Sequence, residues 1–300
     1  MQIPLALKKG DTVAIVSTAR KITKLELQPA IELLKSWGLN VKVGKTIGAQ
    51  DHQYAGNDTL RTADFQTALN DKKVNAIWCA RGGYGTIRMV DGINFSGFLN
   101  NPKWIIGYSD VTILHSHIHN LGVATIHGQM CLEIEKRTQA ARNTLKEILF
   151  GNFNNLSYIL NDSYNRKGNA QGVLIGGNLS VLYSTIGSQT EYISEGKILF
   201  IEDLDEMLYH IDRMMMNLKR SGVLKGLAGL IVGGMSDMRD NTIPFGKTAI
   251  QIIGDAVSEY KYPVCFDFPA GHIEDNRALV IGAEIELIVD EVSATINYKL

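Results

Sequence analysis

The residues best placed for chemistry are a serine on a sharp turn, a loop histidine, a pair of adjacent carboxylates and a glycine-rich turn. The serine lies in Lys103-Trp104-Ile105-Ile106-Gly107-Tyr108-Ser109-Asp110-Val111-Thr112. Trp104 to Ile106 is an apolar run that reads as a buried strand, and Val111, Ile113, Leu114, Ile118 and Leu121 recur at helical spacing. Almost no loop separates the two, so Ser109 falls on a tight strand-to-helix turn, with Gly107 relieving crowding. Such a turn lifts a hydroxyl above the end of a sheet and aims the next backbone N–H the same way, which is the geometry of a nucleophile elbow. The usual elbow has glycine on both sides; here Val111 takes the far position. The same residues also read as a helix start, with Ser109 or Asp110 as the cap.

A serine alcohol needs a base, and the base needs an orienting partner. His272 lies in Phe268-Pro269-Ala270-Gly271-His272-Ile273-Glu274-Asp275-Asn276, directly after a strand, where Pro269 and Gly271 allow a sharp turn. A loop histidine at a strand end suits a general base, and it also reads as an ordinary exposed side chain. Gly196-Lys197-Ile198-Leu199-Phe200-Ile201-Glu202-Asp203 ends an apolar strand in two carboxylates. A half-buried carboxylate needs a hydrogen-bond donor, which an imidazole N–H supplies. Alternatively Asp203 or Asp205 caps the helix that starts at Met207, and each acid could do one of the two jobs. Arg81-Gly82-Gly83-Tyr84-Gly85 joins a strand to a helix and exposes backbone N–H groups to an anion. It lacks the Gly-Lys-Ser/Thr end of a phosphate loop. As an oxyanion donor it would pair with the Asp110 N–H; otherwise it is a plain tight turn.

The remaining candidates read as structural. His115 and His119 share a helix face at metal-ligand spacing, but no Glu follows His115, so a solvated or capped face is expected and no metal. His127 ends a strand and could line a cleft; His210 lies in a helix beside Asp212 and Arg213, and His52 in a polar loop. Asn178 is a plausible N-cap after Gly176-Gly177, and Met214 to Met216 read as packing.

Strands are expected at Asp11–Ser17, Asn40–Val43, Asn75–Cys79, Trp104–Tyr108 and Val123–His127, with helices between them. That alternation predicts an α/β domain with a doubly wound, mainly parallel sheet over residues 1–150, its site beyond the carboxyl ends of the strands. Residues 151–170, rich in Asn, Gly, Ser and Tyr, read as a linker. Residues 171–300 read as a smaller, β-rich α/β domain: strands at Gln171–Gly176, Lys197–Glu202 and Leu227–Val232, helices at Met207–Leu218 and Thr248–Tyr260, an extended Tyr262–Phe268, and two or three β-segments in Ala278–Tyr298.

With 45% hydrophobic and 20% charged residues in 300, the chain can build ordinary globular cores. A net charge of −1 argues against nucleic-acid or membrane-surface partners. No apolar run approaches a membrane span, and no signal peptide is expected at the N-terminus. Cys79, Cys131 and Cys265 form neither a disulfide framework nor a zinc spacing, so a cytoplasmic location is expected.

Taken together, Arg81-Gly82-Gly83-Tyr84-Gly85, Gly107-Tyr108-Ser109-Asp110, His127-Gly128, Gly176-Gly177-Asn178-Leu179, Glu202-Asp203, Tyr209-x-x-Asp212-Arg213 and Gly271-His272 resemble the LD-carboxypeptidases in order and spacing. That family of serine peptidases includes muramoyl-tetrapeptide carboxypeptidases and a microcin-immunity branch. The resemblance implies a flavodoxin- or amidotransferase-like N-terminal domain, a smaller C-terminal domain, no metal or other cofactor, and a homodimer. It implies a triad of Ser109 as nucleophile, His272 as base and Glu202 as orienting acid, assembled between the domains. It also implies an oxyanion hole from the Gly83 and Asp110 N–H groups. The implied substrate is a cytoplasmic murein tetrapeptide that loses its terminal D-Ala during wall recycling. Arg81, Tyr84 and Arg213 are the candidate substrate-binding side chains, the two arginines on charge grounds. The family often has a Ser-Pro-Ser-like turn after the first strand; here it is Ser17-Thr18-Ala19-Arg20, which leaves fine specificity open. Two rival readings are a microcin-immunity-type amidase acting on a peptidyl- or aminoacyl-nucleotide and a non-catalytic two-domain small-molecule binding protein.

Overall fold

Five short segments that alternate with helices, four of them largely buried, become parallel strands. A computed structural model describes residues 1–160 and 164–299. It divides them into two units: Met1–Asn152 with Glu274–Ile281, and Phe153–Ile273 with Gly282–Leu300. In the first unit the strands are β1 (Thr12–Val16), β2 (Asn40–Val43), β3 (Val74–Cys79), β4 (Trp104–Gly107) and β5 (Thr125–His127). They lie in the order β2-β1-β3-β4-β5, all parallel, the flavodoxin-like arrangement of a doubly wound sheet. The central strands β3 and β4 are almost wholly buried, as expected where helices cover both faces.

The helices of this unit are α1 (Lys24–Ser36), α2 (Asp58–Asn70), the short α3 (Ser96–Asn100), α4 (Thr112–Asn120) and α5 (Gln139–Leu149). Thr23 and Glu26 start α1 with a reciprocal capping box, and Asn57 and Thr138 cap α2 and α5. The strand order reverses between β1 and β3, so the loops after these two strands leave the sheet at its switch point, where α/β sheets bind ligands.

A sixth strand joins this sheet from far along the chain. Leu279–Ile281 pairs antiparallel with β5, Leu279 opposite His127. Residues 274–281 therefore pack with the first unit, although their position in sequence groups them with residues 171–300. The outer edge of β5 offers unpaired N–H and C=O groups, and three buried apolar residues satisfy them.

The second unit holds β6 (Leu156–Ile159), β7 (Gly168–Asn178), β8 (Ile198–Leu204), β9 (Gly229–Ser236) and β10 (Val264–Cys265). With Leu279–Ile281 numbered β11, β12 (Glu284–Val289) and β13 (Ser293–Tyr298) complete the set. Its seven-stranded sheet runs β10-β9-β8-β7-β12-β13-β6. The first four strands are parallel and the rest antiparallel. Its helices are α6 (Leu179–Thr185), α7 (Leu208–Arg220) and α8 (Ala249–Ala256). The stretch read as a linker contains β6, whose Tyr158 hydroxyl donates to the Phe266 carbonyl at 2.8 Å. Four residues with one fully buried position are too short for periodicity to reveal. Residues 161–163 of that stretch lie outside the described residues. Of the extended Tyr262–Phe268, the strand proper is β10, with Pro263 and Phe268 on either side of it also bonded to the β9 backbone.

Candidate active site

In the first unit the chain leaves β4, Tyr108 is still extended, and Ser109 turns to φ +61° before the helical turn that leads into α4. A left-handed serine costs on the order of 1–2 kcal/mol, a strain that clusters at functional turns. Gly107 is required here: a Cβ would stand 2.8 Å from Val111 Cγ2. The turn at Ser109 is as sharp as its sequence implies, and neither the short helical turn nor α4 starts with a side-chain cap. Asp110 is buried, and its carboxylate accepts the Thr86 N–H at 2.8 Å. Burial raises its pKa, with the Thr86 hydroxyl and N–H, the Arg61 charge and the Gly85 N–H pulling the other way. The side chain of one proposed oxyanion residue thus ties the elbow to the end of the glycine-rich turn.

That turn lies against the serine. A Cβ on Gly82 would come within 3.1 Å of Ser109 Cβ and 3.2 Å of its Oγ. Gly83 has φ +111°, and a Cβ there would meet Arg20 Cγ and Cδ at 2.6 Å and Nε at 2.8 Å. The Arg20 N–H in turn donates to the Gly82 carbonyl at 3.3 Å. Gly82 and Gly83 are thus flanked by Ser109 and Arg20: a Cβ at Gly82 would crowd the serine, and the positive φ of Gly83 favours glycine.

Two buried groups brace this arrangement from behind, and sequence reading missed both roles. Arg61 donates through Nη1 to the carbonyls of Thr18 at 2.6 Å and Gly85 at 2.8 Å, and pairs with Asp58. It therefore holds the loops after β1 and β3 together at the switch point. The available signal was that Arg61 and Asp64 fall on the same α2 face as Phe65, Ala68 and Leu69, where charge implies committed partners. His115, expected on a solvated or capped face, is fully buried, and His119 is nearly so. The His115 Nε2 lies 2.9 Å from the Gly107 carbonyl and Nδ1 2.8 Å from Thr125 Oγ1. A carbonyl only accepts, so Nε2 carries the proton and Nδ1 accepts from the threonine hydroxyl. Burial pushes this imidazole down to about 4, keeping it neutral. His127 is buried between the rings of Tyr108 and His115, at 5.9 and 6.2 Å.

The second unit brings Glu202 and His272 together. Glu202, at the end of β8, is 0% exposed. Its Oε2 accepts His272 Nδ1–H at 2.7 Å and the His272 backbone N–H at 3.1 Å. An oxygen that already accepts a backbone N–H fixes the tautomer, with the ring proton on Nδ1 and the lone pair on Nε2. Gly271 makes this approach possible: at φ +110°, a Cβ would lie 2.7 Å from both Glu202 Cβ and Oε2.

The adjacent carboxylates do separate jobs because successive side chains of a strand point to opposite faces. Asp203 accepts from Asn178 Nδ2, the Ser180 N–H and the Leu204 N–H, each at 2.9 Å. Burial and the neighbouring Glu202 nevertheless push it up to about 7. Asp203 thus braces the start of α6. The helix after Met207, which Asp203 or Asp205 was expected to cap, begins with no side-chain cap. Asp205 instead pairs with Arg239 at 2.7 Å.

Of the candidate substrate-binding residues, Arg81 and Tyr84 lie in the first unit and Arg213 in the second. Arg81 donates to the Lys21 carbonyl at 3.0 Å. Tyr84 is 47% exposed, its ring 6.4 Å from that of Tyr54. Arg213 in the second unit stacks over Tyr209 at 5.1 Å. Among the described residues no group of three or more His, Cys, Asp or Glu is placed to hold a metal ion. No helix among them is long and apolar enough to cross a membrane.

The family model for the LD-carboxypeptidase N-terminal domain matches residues 13–128, and that for the LD-carboxypeptidase C-terminal domain matches residues 171–287. A probable murein peptide carboxypeptidase of Bacillus subtilis is 37% identical over 306 residues, covering 98% of this chain and 94% of that protein. The crystal structure of muramoyltetrapeptide carboxypeptidase from Oxalobacter formigenes superimposes with a TM-score of 0.87 at 26% identity, over 96% of this chain and 98% of that one. The microcin C7 self immunity protein MccF, in complex with aspartyl sulfamoyl adenosine, has a TM-score of 0.88 over 99% and 98% of the two chains. At 21% identity that likeness shows a shared fold.

Proposed function

From the premise that this chain belongs to the LD-carboxypeptidase family and is a serine-type carboxypeptidase, we propose that it removes the terminal D-amino acid from a murein tetrapeptide. The bond cut is the amide between an L-configured centre and that residue. Ser109 is the nucleophile, His272 the base and Glu202 the acid that orients it. The observation that carries this reading is the 2.7 Å bond from His272 Nδ1 to the buried Glu202, which fixes the tautomer a base requires. The left-handed Ser109 after β4 supports it independently.

The reaction runs in two halves. His272 Nε2 takes the Ser109 proton as Oγ adds to the scissile carbonyl carbon, and the oxyanion is held by the Gly83 and Asp110 N–H groups. One such donor is typically worth about 2.7–4 kcal/mol. The imidazolium, stabilised by Glu202, gives its proton to the leaving amine, and D-Ala departs. Water, deprotonated by the same imidazole, then hydrolyses the acyl-enzyme and regenerates Ser109. The mechanism requires His272 Nε2 and Ser109 Oγ to come within hydrogen-bond reach during turnover. In the cell this is a cytoplasmic step in the recycling of wall peptides, carried out by a homodimer. The microcin-immunity branch shares the fold, and its aminoacyl-nucleotide chemistry is the competing outcome of the test.

The test is mass spectrometry of a murein tetrapeptide incubated with the protein. Loss of one D-Ala is expected, abolished by Ser109→Ala with a fall on the order of 10⁶ in kcat. An intact tetrapeptide beside a cleaved aminoacyl-nucleotide conjugate would overturn the murein reading. Cleavage that survives Ser109→Ala would overturn the serine mechanism.

A further inference from the structure

We infer that Arg20 is the cation that receives the free carboxylate of the substrate's terminal residue, an assignment that rests on the proposed carboxypeptidase reaction and makes Arg20 its specificity residue. The juxtaposition behind it is the Gly82-Gly83 pair, with Ser109 on one side and the stem of Arg20 on the other. The backbone of Arg20 is fixed at both groups: its N–H donates to the Gly82 carbonyl at 3.3 Å, and its carbonyl accepts the Ser17 hydroxyl at 2.6 Å. Its side chain is exposed, and it makes no ion pair or side-chain hydrogen bond among the described residues.

Bond lengths decide where such a cation must stand. Only the amide nitrogen and one Cα separate the scissile carbon from the terminal carboxylate, so the two carbons lie about 3–4 Å apart. A guanidinium bonds a carboxylate oxygen at about 2.7–2.9 Å. The anchoring cation therefore stands beside the oxyanion donors themselves, not a residue's length away. Arg20 Nε, 2.8 Å from where a Gly83 Cβ would be, stands beside one of the two proposed donors. The other arginines around this turn are committed elsewhere: Arg81 to the Lys21 carbonyl, Arg61 to Thr18, Gly85 and Asp58, and Arg88 to Asp58. An arginine on the loop after β1 also stands at the switch point of the sheet, where a ligand's polar end is expected.

The test compares a tetrapeptide ending in D-Ala as the free acid with the same peptide as its C-terminal amide, using the full chain and Arg20→Gln and Arg20→Lys. The unmodified protein is expected to prefer the acid. Arg20→Gln should lower kcat/KM on the acid about 10- to 100-fold, the range of a charge-assisted hydrogen bond, mostly through KM. It should leave the amide within about twofold, and Arg20→Lys should recover part of the loss. Equal losses on acid and amide, or an unchanged rate on the acid, overturn the assignment while leaving the carboxypeptidase reading intact. Failure of the unmodified protein to cleave the free-acid peptide overturns that reading, and the anchor with it.

Discussion

Replacing Glu202 by Gln separates catalysis from folding in a single side chain. The substitution keeps shape and removes charge. Glu202 Oε2 accepts two N–H groups of His272, at 2.7 and 3.1 Å, and the carboxylate is wholly buried. A glutamine can turn its carbonyl oxygen toward both donors, so the resting hydrogen bonds survive. What is lost is the attraction between a carboxylate and the imidazolium that forms as Ser109 gives up its proton. Two unit charges about 4 Å apart at an effective dielectric constant near 20 attract by about 4 kcal/mol. Each 1.36 kcal/mol is tenfold in rate, so kcat should fall about 10³-fold. Stability should move the other way or not at all, because a neutral amide is cheaper to bury than an ion. The measurements are kcat for D-Ala release and the thermal unfolding midpoint of the same preparation. In a Ser109→Ala background the substitution should add little further loss, since members of a catalytic unit fail together. A folded Glu202→Gln protein that keeps kcat within tenfold would refute the assigned role.

Two further outcomes follow from the packing behind the elbow. Gly107→Ala puts a methyl 2.8 Å from Val111 Cγ2 and should cost about 1–3 kcal/mol in denaturant unfolding, with Val111→Ala restoring much of it; full stability in the single variant would discount the crowding argument. His115 has its pKa lowered by burial from an ordinary 6.5 to about 4, so it favours the fold when neutral. That contribution is complete above pH 6.5 and lost as pH falls toward 4, because the unfolded chain takes up the proton first. The drop in unfolding midpoint between pH 7 and pH 4.5 should therefore be smaller in His115→Gln, and an unchanged drop would exclude His115 as its source.

Legibility in the sequence followed the range of the interactions. The doubly wound sheet could be read because most of its strands are apolar runs that alternate with helical periods, and α1, α2 and α5 carry their own side-chain caps; these are local properties. The turn at Ser109 could be read for the same reason, since Gly107, Tyr108 and the helical pattern lie within a few residues of it. Glu202 and His272 could be named as a strand-end acid and a loop histidine. Nothing local distinguished Glu202 from Asp203, however, because the choice depends on which face of β8 meets His272, seventy positions away. The same limit hid the partner of β11: a β-segment could be read there, but not that it closes the open edge of β5 in the other sheet. It hid Arg61 and His115 as well, both of which bond carbonyls of loops distant in sequence or on another element. The sequence by itself therefore determined the kinds of elements and the types of reactive group at their ends. Tertiary structure decided which of those groups touch, because a hydrogen bond is made or lost over an ångström and the sequence pattern carries no information on that scale.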